Sequence, residues 1–113
     1  APREDYENPV SIQAAARLGQ PRINLLPADL FGDAPPRAAT IGLRPEQIEQ
    51  GAGADSTVVR VERLGDQTRL HLVYRDHALV TVTDPHTPLG PGDLVPIRPR
   101  QPFYFDAAGA RVA

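Results

Sequence analysis

Apolar and polar residues alternate with a period of two over much of the second half of the chain. Leu70, Leu72 and Tyr74 alternate with Arg69, His71 and Arg75, the pattern of a strand with one buried and one solvated face. Val58 to Leu64 carries a less regular version, in which Val59, Val61 and Arg63 alternate with Val58, Arg60, Glu62 and Leu64. Gly65-Asp66-Gln67 joins these two runs as a hairpin. Ala78 to Thr83 follows the turn residues Arg75-Asp76-His77 and completes an antiparallel meander. Thr40 to Leu43, Leu94 to Ile97 and the aromatic run Phe103-Tyr104-Phe105 add short strands. Turn chemistry at Gly90-Pro91-Gly92-Asp93 and Asp106-Ala107-Ala108-Gly109 bounds them.

The first third reads differently. Asn8 is placed to cap a helix with Pro9 at its first position, and Val10, Ala14 and Leu18 recur at intervals of four. Gly19 and Pro21 stop it, so the helix spans residues 9 to 18. From Pro21 to Pro36 four prolines interrupt Ile23, Leu25 and Leu26, which predicts an extended edge segment within a connector. The expected division is therefore residues 1–36, a helix and Pro-rich connector, and residues 37–113, a barrel. With no alternation of strand and helix, the class is all-β: a small antiparallel barrel of about five or six strands with one N-terminal helix, closure removing the exposed edges.

Composition narrows the function classes. A chain of 113 residues, 41% hydrophobic and 23% charged, has room for one such core. Aromatic residues make up 5%, Trp is absent, and 14 acidic residues outnumber 12 basic ones. Neither stacking platforms nor a basic excess for counterion release is present, which argues against nucleic acid as a partner. The absence of Cys removes disulfides, thiolate metal sites and thiol nucleophiles together. No apolar run approaches the roughly 20 residues that cross a bilayer, and the polar, acidic start does not read as a signal peptide. These features predict a soluble, unexported chain. The absence of Met fits a piece of a larger protein.

Few residues carry candidate chemistry. Gly51-Ala52-Gly53-Ala54-Asp55 lacks the Lys-Ser/Thr ending of a phosphate loop and reads as a flexible loop. His71, His77 and His86 show no metal-ligand spacing, Ser11 and Ser56 have no nucleophile-elbow context, and the carboxylates lie mostly beside turns. No catalytic, cofactor-binding or metal residue is assigned. Two features remain. In Gly42-Leu43-Arg44-Pro45-Glu46 a strand ends, Pro45 restricts Arg44 to extended backbone, and Arg44 with Glu46 can form a structural or interdomain contact; the alternative is a plain strand-to-loop exit. Arg69, His71 and Arg75 share the solvated face of their strand and form a candidate weak anion face.

Several stretches taken in order resemble a known family. They are Ala1 to Pro9, Leu18-Gly19-Gln20-Pro21-Arg22-Ile23-Asn24-Leu25-Leu26-Pro27, Gly42-Leu43-Arg44-Pro45-Glu46, Val61-Glu62-Arg63-Leu64-Gly65 with Thr68-Arg69-Leu70, Pro91 to Val95 and Phe105 to Val112. Together they resemble the C-terminal extension of the ATP-hydrolysing subunit of bacterial ABC importers of the maltose and glycerol-3-phosphate type. The resemblance implies an oligonucleotide-binding-like (OB-like) barrel called a TOBE domain. It implies a non-catalytic regulatory and dimerisation role, without the Walker A, signature and Walker B elements. ATP and Mg would then be held by the nucleotide-binding domain of the parent subunit.

The implied partners are a second copy of the subunit, that nucleotide-binding domain, a regulatory protein or small ligand and, indirectly, the membrane permease subunits. The implied location is cytoplasmic and peripheral to the bacterial inner membrane, and the implied cargo is a sugar, a polyol or glycerol-3-phosphate. The rival reading is a free-standing OB-like barrel binding a small oxyanion or an oligonucleotide, which would gather Arg60, Arg63, Arg69 and Arg75 on one concave face.

Overall fold

The computed structural model describes Ser11, Ile12 and residues 23–112. Apart from Ser11 and Ile12, the helix expected over residues 9 to 18 lies outside the described residues. Eight strands occur among them: β1 (Asn24–Pro27), β2 (Thr40–Leu43), β3 (Ile48–Arg63), β4 (Thr68–Tyr74), β5 (His77–Thr83), β6 (Leu94–Pro99), β7 (Phe103–Phe105) and β8 (Arg111–Val112). The class is all-β, of the small OB-like antiparallel type, with more strands than the sequence pattern resolved. The chain divides into two compact units, one containing the described residues up to Arg44 and from Gln101 onward, the other Pro45–Arg100.

The first unit is a four-stranded antiparallel sheet in the order β1-β2-β7-β8. β1 is the edge segment expected in the Pro-rich stretch, paired through Asn24↔Leu43 and Pro27↔Thr40. Its alternation buries Leu26 and exposes Leu25. The Asn24 amide Nδ2 donates to the Leu43 carbonyl at 3.0 Å, so this buried polar side chain is satisfied. Ile23, Phe103 and Phe105 pack together, with Ile12 against them. Gly42 makes that packing possible: a Cβ there would lie 3.0 Å from the Phe105 ring and 3.1 Å from Ile23. Arg111 stacks its guanidinium 4.7 Å from the centroid of Phe103.

The second unit opens with a single 3-10 turn, Pro45–Gln47, and then forms a sheet in the order β5-β4-β3-β6. β4 is the regular element that its sequence predicts, with Thr68, Leu70, Leu72 and Tyr74 buried and the residues between them half-buried. The irregular alternation before it has a physical cause. Val58 pairs with Leu72 and Arg60 with His71, so Val59 is an extra residue in a β-bulge, which shifts the inward and outward positions by one.

The stretch Gly51 to Asp55, read from sequence as a flexible loop, lies instead inside β3. Gln50 and Ala54 both oppose Ile97, so the residues between them form a wide irregularity across which pairing to β6 continues. Positive φ at Gly51 (97°) and Gly53 (104°) lets the strand bend rather than end. Before the bend, Gln50 Nε2 donates to the Val82 carbonyl at 3.0 Å, and the buried Thr81 hydroxyl donates to the Pro45 carbonyl at 2.8 Å. The start of β3 is thereby tied to β5, at the opposite side of the sheet from β6, which closes this unit on itself. Inside are Ile48, Val58, Leu70, Leu72, Leu79, Val95 and Ile97, each at most 4% exposed.

Candidate functional site

The two candidate features of the sequence lie in different local settings. In the first, Gly42 belongs to β2 and Arg44 follows it, with only 2% of its surface exposed. Pro45 is buried and opens the 3-10 turn, while Glu46 is exposed. The turn is held by its backbone: Arg100 Nη2 donates to the Glu46 carbonyl at 3.0 Å, and the Arg100 amide donates to the Gln47 carbonyl at 2.8 Å. Gln47 Nε2 donates to the Arg100 carbonyl in return, at 3.4 Å. The sequence pattern named Arg44 and Glu46 and gave no indication of Arg100, because its contact runs through main-chain carbonyls.

The second feature is built by strand register. Because β3, β4 and β5 pair side by side, their solvated face consists of three rows: Thr57–Val73–Ala78, Arg60–His71–Val80 and Glu62–Arg69–Val82. Arg69 and His71 therefore do share a face, as the period-two alternation requires. What brings them together is Glu62. Its Oε1 accepts a hydrogen bond from His71 Nε2 and lies 3.6 Å from Arg69 Nη1, while Oε2 lies 3.5 Å from Arg60 Nη2. A carboxylate can only accept, so His71 carries the proton on Nε2.

The hydrogen bond from His71 is the main cause that holds the Glu62 carboxyl below the ordinary carboxylate range; the charges of Arg60, His71 and Arg69 add to it, and partial desolvation works against it. Arg75 takes a different position, in the turn between β4 and β5, with its guanidinium 5.2 Å from the centroid of the Tyr74 ring. Glu62 was not singled out as a site residue from the sequence, and Arg60 was named only in the rival reading, beside Arg63, Arg69 and Arg75. The signal was the opposition of Glu62 to Arg69 across the hairpin, one pair in from Arg63↔Thr68 beside the turn.

Among the described residues no three His, Asp or Glu side chains converge as a metal site would require. His77 opens β5 and His86 lies in a turn. Among the same residues no helix is long and apolar enough to cross a membrane. The arrangement offers charged and apolar surface for recognition, supported on a closed sheet.

These features define a class, a small all-β domain whose central stretch, residues 41–102, matches the TOBE domain family. The chain belongs to that family. It is 30% identical over 106 residues to the sn-glycerol-3-phosphate import ATP-binding protein UgpC 2 of Rhizobium johnstonii, covering 83% of this chain and 31% of the relative. It is 33% identical over 127 residues to the UgpC protein of the same description from Ralstonia nicotianae, covering 85% and 34%. A third such protein, from Ruegeria, is 30% identical over 133 residues, covering 99% and 38%. The chain spans about a third of the length of these relatives.

Proposed function

We propose that this chain is a non-catalytic regulatory and dimerisation domain of the ATP-binding subunit of an ABC importer, serving uptake of glycerol-3-phosphate or a related sugar or polyol. The observation that carries the reading is the TOBE match over residues 41–102 together with relatives that are described as glycerol-3-phosphate import ATP-binding proteins. On this reading residues 1–36 lead from the nucleotide-binding domain of the parent subunit and residues 37–113 form the barrel. ATP and Mg belong to that other domain, a second subunit and the permease complete the assembly, and the site of action is the cytoplasmic side of the inner membrane. The chain contributes closed, hydrogen-bonded strands that hold surfaces in place. Gly42, Arg44, Pro45 and Glu46 serve as a structural element at the boundary with neighbouring parts of the subunit.

The test is an exchange. The corresponding third of the Ralstonia UgpC protein is replaced by this chain, and glycerol-3-phosphate uptake is measured in cells that lack their own UgpC. Uptake restored by the chimera, and lost when the third is simply deleted, is the expected result. A chimera that assembles with the permease yet fails to support uptake overturns the assignment to this class of importer. The purified chain is expected to show no ATP binding by calorimetry, and affinity at micromolar levels would contradict the non-catalytic role.

A further inference from the structure

We propose that the solvated face of β3, β4 and β5 is a docking surface for a segment of a partner protein that carries both acidic and apolar side chains. The inference rests on the regulatory reading above and names the surface and the chemistry of the partner. Its basis is a division of the face into two columns. Along β5 and the adjoining part of β4 run Ala78, Val80, Val82 and Val73, all at least partly exposed. Beside them, on β3 and β4, stand Arg60, Arg69 and His71, gathered about Glu62.

The charges on this cluster do not balance. One carboxylate faces two guanidiniums and an imidazole, so the face has a positive excess on a chain whose formal net charge is −2. Arg60 is 66% exposed and meets Glu62 through one Nη atom only, which leaves most of its five donors directed to solvent. A carboxylate from outside can bind there without displacing Glu62. A compact dianion such as phosphate would have to approach both guanidiniums and the imidazole together, and Glu62 stands between them. The apolar column has no counterpart on a phosphate backbone. A peptide with carboxylates on one side and aliphatic side chains on the other satisfies both columns. β3 and β4 are each paired on both sides, so at the charged column side chains, not an added strand, make the recognition.

The experiment titrates the purified chain with a fluorescent peptide of alternating Glu and Val, following anisotropy and amide chemical shifts. A Lys-and-Val peptide, inorganic phosphate, and phosphatidylcholine vesicles containing phosphatidylserine are run in parallel, and self-association is measured by sedimentation. The acidic peptide is expected to bind in a salt-sensitive way and to shift the amides of Arg60, Glu62, His71, Val73 and Val80. Arg60→Glu and Ala78→Asp, both at exposed positions, are each expected to weaken it roughly tenfold while the amide spectrum of the rest of the chain stays that of the folded wild type. Arg98→Glu makes the same charge change on β6 and is expected to leave binding intact.

Equal binding of the Lys peptide, shifts outside the face, no effect of Arg60→Glu, or no peptide binding at all overturns the proposal. So does binding of phosphate or vesicles alone, or a self-associated state that covers the face. Because the isolated chain reports on the face while the exchange experiment reports on uptake, failure of one is distinguishable from failure of the other.

Discussion

Gly53 lies against Ile97 so closely that a Cβ built on it would be 2.0 Å from the Ile97 carbonyl oxygen. The obstacle is backbone of the paired strand, which cannot swing aside as the end of a side chain would, and φ at Gly53 is already 104°. Gly53→Ala therefore combines overpacking with left-handed strain, and is expected to cost about 2 to 4 kcal/mol in a denaturant melt. Gly51, also at positive φ but with open space around it, should lose only the strain, about 1 to 2 kcal/mol. Equal costs at the two positions would show that the approach to Ile97 does not constrain the bend.

The hairpin between β4 and β5 pairs Tyr74 with His77 and leaves Arg75 and Asp76 as its two central residues, at φ 47° and 67°. Both values are positive, as a type I′ turn requires, although neither residue is glycine. Asp76→Gly removes the Cβ penalty at the second position and is expected to raise stability by roughly 0.5 kcal/mol, the gain being limited by the greater freedom of glycine in the unfolded chain. A thermal melt checks it. A lower melting temperature would mean that the Asp76 side chain contributes more than its backbone conformation costs.

Legibility in the sequence followed how local each determinant is. β4 and the presence of a turn after it were readable because alternation and turn chemistry are written within neighbouring residues, but the turn was read as Arg75-Asp76-His77, whereas His77 pairs with Tyr74 and opens β5. The glycine-rich part of β3 was not, since the same glycines permit a loop or a bend, and the choice is made by β6, more than 40 residues away. β8, of two residues, is too short to carry a period. For the candidate site, alternation placed Arg69 and His71 on one face correctly but included Arg75, which the turn redirects. Glu62 needed the register of the hairpin, which alternation within either strand alone does not give.

Glu62 makes a prediction about pH. Its folded carboxyl titrates below the ordinary value of 4.5, chiefly through the hydrogen bond from His71. A depressed folded value means that the unfolded state binds the proton more readily, so the contribution to stability is fully present above the ordinary value and is lost as pH falls through the lowered one. Wild type should therefore exceed Glu62→Gln in stability at neutral pH, with the difference shrinking as the solution is acidified below 4.5. Because the carboxyl is solvent-accessible, added salt should shrink the same difference at neutral pH. The check is a set of melts of both proteins across that range, with the Glu62 carboxyl followed by NMR. A difference that stays constant with pH would show that the Glu62 carboxyl is not held below its ordinary range.

Arg44 and Glu46 are two residues apart and differ in burial, 2% exposed for Arg44 against an exposed Glu46, which separates their expected effects. Truncating a side chain this deeply buried removes its packed methylenes and its guanidinium together, and Arg44→Ala is expected to cost roughly 1 to 3 kcal/mol. Glu46→Ala leaves the carbonyl that Arg100 grips in place, since that bond runs to main chain, and should change stability by less than about 0.5 kcal/mol. Lys is the informative replacement at position 44. It keeps the charge and most of the apolar stem and loses the planar fork, so a cost close to that of alanine would locate the contribution in the fork and a small cost would locate it in charge and packing. Equal losses for Arg44→Ala and Glu46→Ala, non-additive when combined, would make the two a single latch. If neither melt moves, the stretch is a plain strand-to-loop exit and the latch is overturned.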